Sequence, residues 1–153
     1  MSVTDIGLMP AMSRPTAWST KTMTVATGKY GYILKDAGTG NHDETIITTA
    51  TNAVNVWGVI GSQGDPNNSG LFAVGDQVTC VEDGYAEVMF VAGTVITEGD
   101  TIVPSGTAGQ ATTLAVAGPS VPYDILGYAA QTITIGNAAG LASVRLRIHR
   151  EEH

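Results

Sequence analysis

The residues that could perform acid–base or metal chemistry are few in this chain, and their spacing does not suit it. Two of the three histidines, His149 and His153, lie within the last five residues, and His42 lies in a polar loop beside Asp43 and Glu44. Three consecutive side chains rarely converge on one ion, the single His-x-x-x-His spacing (His149 and His153) lies in the last five residues, and no Cys-x-x-Cys spacing occurs. We therefore expect no metal site and no bound cofactor.

The candidate nucleophiles and carboxylates also lack the sequence context of an active site. Residues 61–64 read Gly-Ser-Gln-Gly, which differs from the Gly-x-Ser-x-Gly turn of serine hydrolases, and no phosphate-binding glycine loop is present. The only cysteine, Cys80, lies in the apolar run 78–81, as a small core residue does, and it can form no internal disulfide. Asp83 and Asp100 stand beside glycines, where aspartate usually serves a turn. The sequence predicts that the protein is not an enzyme.

The charged residues are distributed unevenly along the chain. The net charge is −7, and no Lys or Arg lies between Lys35 and Arg145, a stretch that holds eleven of the 14 acidic residues. Binding of nucleic acid needs cations that displace phosphate counterions, and anionic membranes attract cations in the same way. We therefore expect neither nucleic acid nor a membrane as a partner. The basic residues near the two ends could instead meet an acidic neighbour, such as the body of another copy of the chain.

The composition is that of a β protein with a mostly uncharged polar surface. Charged residues make up 14% of the chain, against roughly 25% in an average soluble protein, while Thr and Val favour strands and 19 glycines supply turns. Such a surface is either covered by another molecule or kept soluble by Thr, Ser, Asn and Gln alone. Because no secretory signal and no apolar run of membrane-spanning length is present, we expect the chain to be made in the cytoplasm.

Short strand patterns separated by turn residues recur from Thr24 to the end of the chain. The Asp-Gly pair at 83–84 predicts a hairpin that joins strands 77–81 and 86–91, because this dipeptide favours a tight two-residue turn. Strands at such spacing, without helical patterns between them, are typical of a sandwich or barrel. The predicted fold class is therefore all-β, with a single compact β-barrel or β-tulip-like domain built from hairpins.

The last strand pattern is the clearest one. Val144, Leu146 and Ile148 alternate with basic residues, so one face of this strand is expected to be apolar and the other basic. The segment 136–140, which begins and ends with glycine, predicts a hairpin between residues 131–135 and this strand. We expect Leu146 to be buried in the core, and Trp57 as well.

Residues 1–24 differ from the remainder, which divides the chain into an extended N-terminal arm at 1–24 and a β-barrel domain at 25–153. No period of 2 or 3.6 persists in the arm, and its prolines discourage regular structure. Apolar side chains on an arm need a surface to cover, in their own domain or in a partner. We expect removal of residues 1–22 to leave the barrel folded. The candidate contacts with a partner subunit or surface are Met9, Pro10, Met12, Arg14, Pro15 and Trp18.

The segment from Trp57 to Ile148 resembles a family of small phage head proteins, the capsid decoration or cement proteins. The resemblance consists of strand and turn motifs in the same order as in that family. These motifs are 57–60 (Trp-Gly-Val-Ile), 74–78 (Val-Gly-Asp-Gln-Val), 84–88 (Gly-Tyr-Ala-Glu-Val), 96–100 (Ile-Thr-Glu-Gly-Asp), 125–129 (Ile-Leu-Gly-Tyr-Ala) and the closing strand 144–148.

The resemblance implies a virion protein on the outer surface of the capsid. Such proteins form compact β domains, often homotrimers, that bind the major capsid protein of an assembled shell and stabilise it without catalysing a reaction. Their N-terminal arms often reach neighbouring subunits. Two alternatives remain open at this point. One is another phage structural part, of the tail or of a head fibre, and the other is a β module that binds a small ligand or glycan, although only nine aromatic residues are available for it.

Overall fold

The computed structural model describes residues 15–25, 27–49, 53, 55–114 and 123–151. These residues form eleven strands and no α-helix, with one turn of 3-10 helix at Pro66–Asn68, so the prediction of an all-β fold is confirmed. The strands are β1 (Pro15–Met23), β2 (Ile33–Asp36), β3 (Glu44–Ile47), β4 (Val56–Ile60), β5 (Gln77–Phe90), β6 (Val95–Ile96), β7 (Thr101–Pro104), β8 (Ala111–Thr113), β9 (Tyr123–Ala129), β10 (Ile133–Thr134) and β11 (Gly140–Glu151).

Five strands close into a barrel in the order β5-β11-β9-β7-β8. All neighbours are antiparallel except the closing pair, where Phe90 of β5 lies beside Ala111 of β8 in parallel orientation. The predicted barrel is therefore present. The remaining strands of this sheet, β4, β2, β3 and β1, lie outside it and continue from the other half of β5. Both the first and the last of these four strands, β4 and β1, pair with β5, so the group is attached to the barrel at both of its ends.

Two larger apolar clusters fill most of the space that the strands enclose, and a third, small one is formed by Val103 and Ile125. The larger cluster, here named the barrel core, contains Val81, Val88, Phe90, Leu126, Val144 and Leu146 among its buried members. The second cluster, here named the side core, consists of Met23, Leu34, Ile47, Ile60, Phe72, Val78 and Cys80. The two faces of β5 supply both, because Val81 belongs to the barrel core and its neighbour Cys80 to the side core.

The hairpin predicted at the Asp-Gly pair of residues 83–84 is wrong. Residues 77–90 form one continuous strand, and Asp83 lies opposite Ala17 of β1 on one side and Arg147 of β11 on the other. The Asp-Gly pair would form a hairpin turn only if the two halves of the strand paired with each other. Here each half has other partners, and Gly84 uses its positive φ of 90° within the strand.

The second predicted hairpin is wrong in one of its arms. The partner of β11 is β9, with Val144 opposite Ala129, whereas Ile133 of β10 pairs with Ile96 in a separate two-stranded sheet. The chain does reverse direction between residues 130 and 139. The strand that follows the reversal, β11, pairs with β9 and not with β10. The alternation in β11 is confirmed, because Val144 and Leu146 are fully buried and Arg145 and Arg147 are exposed.

The two residues expected in the core differ in their burial. Leu146 is fully buried, but Trp57 is only half-buried. A register shift between β2 and β4 leaves Trp57 without a cross-strand partner there, and its ring packs at the margin of the side core. Cys80 is fully buried, as its apolar sequence context predicts.

Candidate interaction surface

Two of the six predicted contact residues of the N-terminal segment lie within the described residues. Pro15 is the first residue of β1, and Trp18 follows in the same strand with 61% of its surface exposed. Residues 15–23 of the proposed arm therefore form a strand of the sheet. The other predicted contacts lie outside the described residues; they are Met9, Pro10, Met12 and Arg14.

Strand β1 places Trp18 on the outside of the sheet. Residues 15–22 pair with β5, where Trp18 lies opposite Val81, but only Thr22 and Met23 pair with β3 on the other side. The indole is thus held by a fixed strand and still faces solvent. A large apolar side chain in this position is suited to contact with another molecule.

A second exposed surface lies on the barrel, where three strands bring two tyrosines and an arginine into one row. Arg145 of β11 lies opposite Tyr85 of β5 and also opposite Tyr128 of β9. Cross-strand partners share a face, and the neighbours Val144 and Leu146 point into the barrel core, so this row points outward. We name the surface formed by Tyr85, Tyr128, Arg145, Arg147 and His149 the Tyr-Arg face.

Part of the Tyr-Arg face is held in place by local contacts. The rings of Tyr128 and His149 stack with centroids 6.3 Å apart, and His149 Nδ1 lies 2.7 Å from the carbonyl oxygen of Arg147. Arg145 and Arg147 are exposed, and no carboxylate of the described residues lies within ion-pair distance of either guanidinium. Both charges therefore face solvent, although Asp83, the cross-strand neighbour of Arg147, is exposed beside them.

The next arginine of β11 has a structural role instead. Arg150 donates a hydrogen bond from Nε to Asp124 Oδ1 at 2.9 Å, and the other oxygen of Asp124 accepts the backbone N–H of Val56 at 2.9 Å. Asp124 is buried, so this pair ties β9, β11 and β4 together. Removing the Asp124 carboxylate would leave the buried N–H of Val56 without a partner.

A shallow groove of about 390 Å³ lies beside the barrel and is lined by Lys29, Tyr30, Glu87, Met89 and Leu141, among others. The Tyr30 hydroxyl donates a hydrogen bond to Glu87 Oε1 at 3.0 Å. Burial, helped by this carboxylate, raises the pKa of Tyr30 to about 12. The tyrosine therefore stays protonated at physiological pH, and the groove holds a stable polar contact rather than a poised base.

The loop that contains His42 packs against a buried cation. Lys21 is only 8% exposed, donates a hydrogen bond to the carbonyl oxygen of His42 at 2.7 Å, and lies 4.2 Å from the ring centroid of Trp57. The His42 ring meets the same indole edge-on. In the part of the chain that the structure describes, His, Cys, Asp and Glu side chains form no group of three that could hold a metal ion.

No helix among the described residues has the length and apolar character needed to cross a membrane.

Burial raises the pKa of the Cys80 thiol to about 12, with a further contribution from Glu82. A thiol in this state carries almost no thiolate at neutral pH and is a poor nucleophile.

Comparison with solved structures gives an informative match. The fold is similar to that of the N base of the head fibre protein gp8.5 of bacteriophage phi29, with a TM-score of 0.52. The two sequences are 20% identical, and the match covers 90% of this chain and 98% of that chain. No protein-family model and no curated protein sequence matches the chain.

The match shows a shared fold, and it concerns a protein of a phage head. It does not single out the decoration proteins that the motifs of residues 57–148 resemble.

The Tyr-Arg face could not be found from the sequence. Tyr85, Tyr128 and Arg145 are far apart along the chain, and the predicted hairpins assigned the wrong neighbours to β5 and β11. The available signal is the basic alternation in β11, which correctly indicates an exposed basic strand face. Which aromatic residues flank it depends on the sheet order.

Proposed function

We propose that the protein is a non-enzymatic structural component of a phage virion, attached to the head. The observation that carries this proposal is the fold match to a head fibre base, which spans nearly the whole of both chains. Exposed apolar and basic side chains on rigid strands support a binding role.

As the more specific assignment, we propose a capsid decoration protein that binds the major capsid protein from outside as a homotrimer. The motifs of residues 57–148 support it, and so does the low content of charged residues, which suits a protein partly covered by neighbours. A protein that binds only the assembled shell stabilises that shell by mass action. Contacts repeated in a trimer add avidity, so each of them can be weak. Neither nucleic acid nor a membrane is a partner in this proposal, because the stretch between Lys35 and Arg145 carries no Lys or Arg.

A second candidate has about equal support. In this alternative the protein is the base by which a fibre is attached to the head, a role that the name of the phi29 protein suggests for that protein. Both candidates require binding to the head. They differ in whether the protein reinforces the shell or only anchors an appendage to it.

Co-sedimentation tests the common part of the proposal. Purified protein is mixed with expanded empty heads of the phage that encodes it, and with unexpanded heads as a control. We expect the protein to pellet with expanded heads in a saturable ratio. If it stays in the supernatant with both kinds of head, the proposed attachment is wrong.

Heat resistance of the heads separates the two candidates. Expanded heads are heated with and without saturating protein, and rupture is followed by light scattering and electron microscopy. A decoration protein is expected to raise the rupture temperature, because a protein that binds only the intact shell must dissociate before the shell opens. Saturating binding with an unchanged rupture temperature would favour the fibre base.

A further inference from the structure

The exposed arginines of β11 and a group of carboxylates at the end of β1 lie at two distant places on the molecule. The Tyr-Arg face presents the cations Arg145 and Arg147, which have no ion-pair partner among the described residues, beside two tyrosines. Arginine with tyrosine is a combination enriched at protein interfaces. Three basic side chains, counting His149, are too few to bind nucleic acid against the acidic remainder of the chain. The partner that suits this face is therefore a protein surface with exposed carboxylates.

The same molecule carries such a surface away from the Tyr-Arg face, near the end of β1. The segments 36–44 and 73–77 contain four carboxylates and no Lys or Arg. Both segments meet the end of β1, because the Thr22 N–H donates to the carbonyl oxygen of Asp43 at 2.6 Å and the Met23 N–H donates to that of Asp76 at 2.9 Å. The nearby cation of Lys21 is buried.

Val74, which is 64% exposed, provides apolar area within this second surface. We name it the acidic end and define it by Asp36, Asp43, Glu44, Val74 and Asp76. It therefore offers carboxylates and an apolar side chain, which complement the arginines and tyrosines of the Tyr-Arg face.

The two surfaces are too far apart to meet within one molecule. The acidic end adjoins the start of β5 at Gln77, and Tyr85 lies eight residues further along, roughly 26 Å for an extended strand. Pairing of two Tyr-Arg faces across a twofold axis would oppose like charges, so an isologous dimer through this surface is disfavoured. Contact of one copy's face with the next copy's acidic end is heterologous, and contacts of this kind generate rings when the rotation between copies closes.

We infer that the Tyr-Arg face binds the acidic end of a second copy of this chain, in the head-to-tail contact that builds the oligomer. The inference deepens the proposed homotrimer and rests on that part of the proposed function. The contact relies on the charges of Arg145 and Arg147, while the tyrosines supply the area that is buried around them.

Sedimentation of the purified protein without heads tests the contact. We expect the wild-type protein to self-associate and Arg145→Glu to raise the dissociation constant by about tenfold or more, since a like charge then faces the acidic end. Lys29→Glu changes the net charge equally outside both surfaces and is expected to leave self-association unchanged. Arg145→Gln serves if the glutamate variant does not fold, and it is expected to weaken the oligomer to a smaller degree.

A charge swap identifies the partner surface. Asp43 is exposed in a loop and its carboxylate has no hydrogen-bond partner among the described residues, so Asp43→Arg is expected to leave the fold intact. Combined with Arg145→Glu in the same chain, it is expected to restore self-association, because the two charges are exchanged across the contact. A monomeric wild-type protein, an unaffected Arg145→Glu oligomer, or a double variant as weak as the single one would overturn the inference.

Because no heads are present in these experiments, the two proposals fail separately. An oligomer that depends on Arg145 and Asp43 but does not pellet with heads contradicts only the proposed attachment. A monomer that pellets with heads contradicts only the contact.

Discussion

Leu146 links the surface of β11 to the barrel core. Its side chain is fully buried, while its neighbours Arg145 and Arg147 are exposed on the other side of the strand. A strand that is apolar on one face and basic on the other must keep its register, because a shift of one residue would bury the arginines. The core therefore fixes which side chains the Tyr-Arg face presents.

We expect Leu146→Ala to lower the free energy of unfolding by roughly 2–5 kcal/mol, since it leaves a cavity in a closed barrel. Urea denaturation followed by tryptophan fluorescence measures the loss. Val95→Ala is the control, because Val95 is 64% exposed and its truncation creates no cavity. Equal effects of the two substitutions would show that Leu146 does not carry the packing assigned to it.

Cys80 is expected to be inert in the folded protein. Its pKa is raised from 9.0 to about 12 by burial, so the folded state keeps the thiol proton after the unfolded state has lost it. This contribution to stability is complete below pH 9 and is lost as the pH rises toward 12. Tyr30 acts in the same direction at a higher pH, because its pKa is raised from 10.0 to about 12.

A chromogenic thiol reagent at mildly alkaline pH should therefore label Cys80 only after a denaturant is added. The stability measured in urea should fall as the pH is raised above 9. Rapid labelling of the native protein would contradict the buried position. Cys80→Ser should keep any decline that comes from Tyr30 and lose the part that begins at lower pH.

At the level of elements, β5 has more strand partners than any other strand of the described residues. It pairs with β1, β4, β8 and β11, and its side chains contribute to both the barrel core and the side core. Close packing of β4 on β5 requires a glycine, because a Cβ at Gly58 would overlap the carbonyl oxygen of Val81 and lie 2.9 Å from Cys80 Sγ. The glycine is therefore a packing requirement rather than a turn signal.

We expect Gly58→Ala to destabilise the protein by about 1–3 kcal/mol, because the backbone of β5 cannot move away without disturbing both clusters. Gly136→Ala is the matched control, since no heavy atom lies within 4 Å of the position that an alanine Cβ would take there. Thermal melting of both variants checks the difference. A neutral Gly58→Ala would mean that β4 shifts on β5 more easily than the packing suggests.

At the level of the whole molecule, part of the N-terminal segment belongs to the sheet. Residues 15–22 pair with β5 beside the side core, and Met23 is fully buried in that core. The structure thus changes the expectation for a truncated protein. Removing residues 1–22 deletes nearly all of β1, the strand that pairs with both β3 and β5. The deletion therefore leaves one edge of β5 without a partner.

We expect deletion of residues 1–22 to lower the melting temperature strongly or to cause aggregation through the exposed edge of β5. Deletion of residues 1–14, which leaves β1 intact, is expected to preserve the melting temperature. Circular dichroism and size-exclusion chromatography distinguish the two proteins. If both truncations melt like the full chain, β1 is dispensable for the fold.

Local sequence patterns predicted much of the strand content and the faces of β11, because the alternation of side chains follows directly from strand geometry. They failed where a turn signal had to be converted into a pairing. The Asp-Gly pair at 83–84 lies within a continuous strand, and the glycine-bounded segment 136–140 leads β11 back to β9 rather than to residues 131–135. A dipeptide describes only its own backbone preference, whereas pairing depends on which distant strand buries the apolar face.

The sequence by itself determined that the chain folds as β structure, that Cys80 is a core residue, and that β11 has one basic face. Those properties follow from side-chain period, hydrophobicity and charge, which act over a few residues. Only the tertiary structure decided that β5 is shared by the barrel and the outer strands, and that Tyr85 and Tyr128 flank Arg145. The physical reason is that strand order is fixed by the joint burial of residues distant in sequence, and no local pattern encodes it.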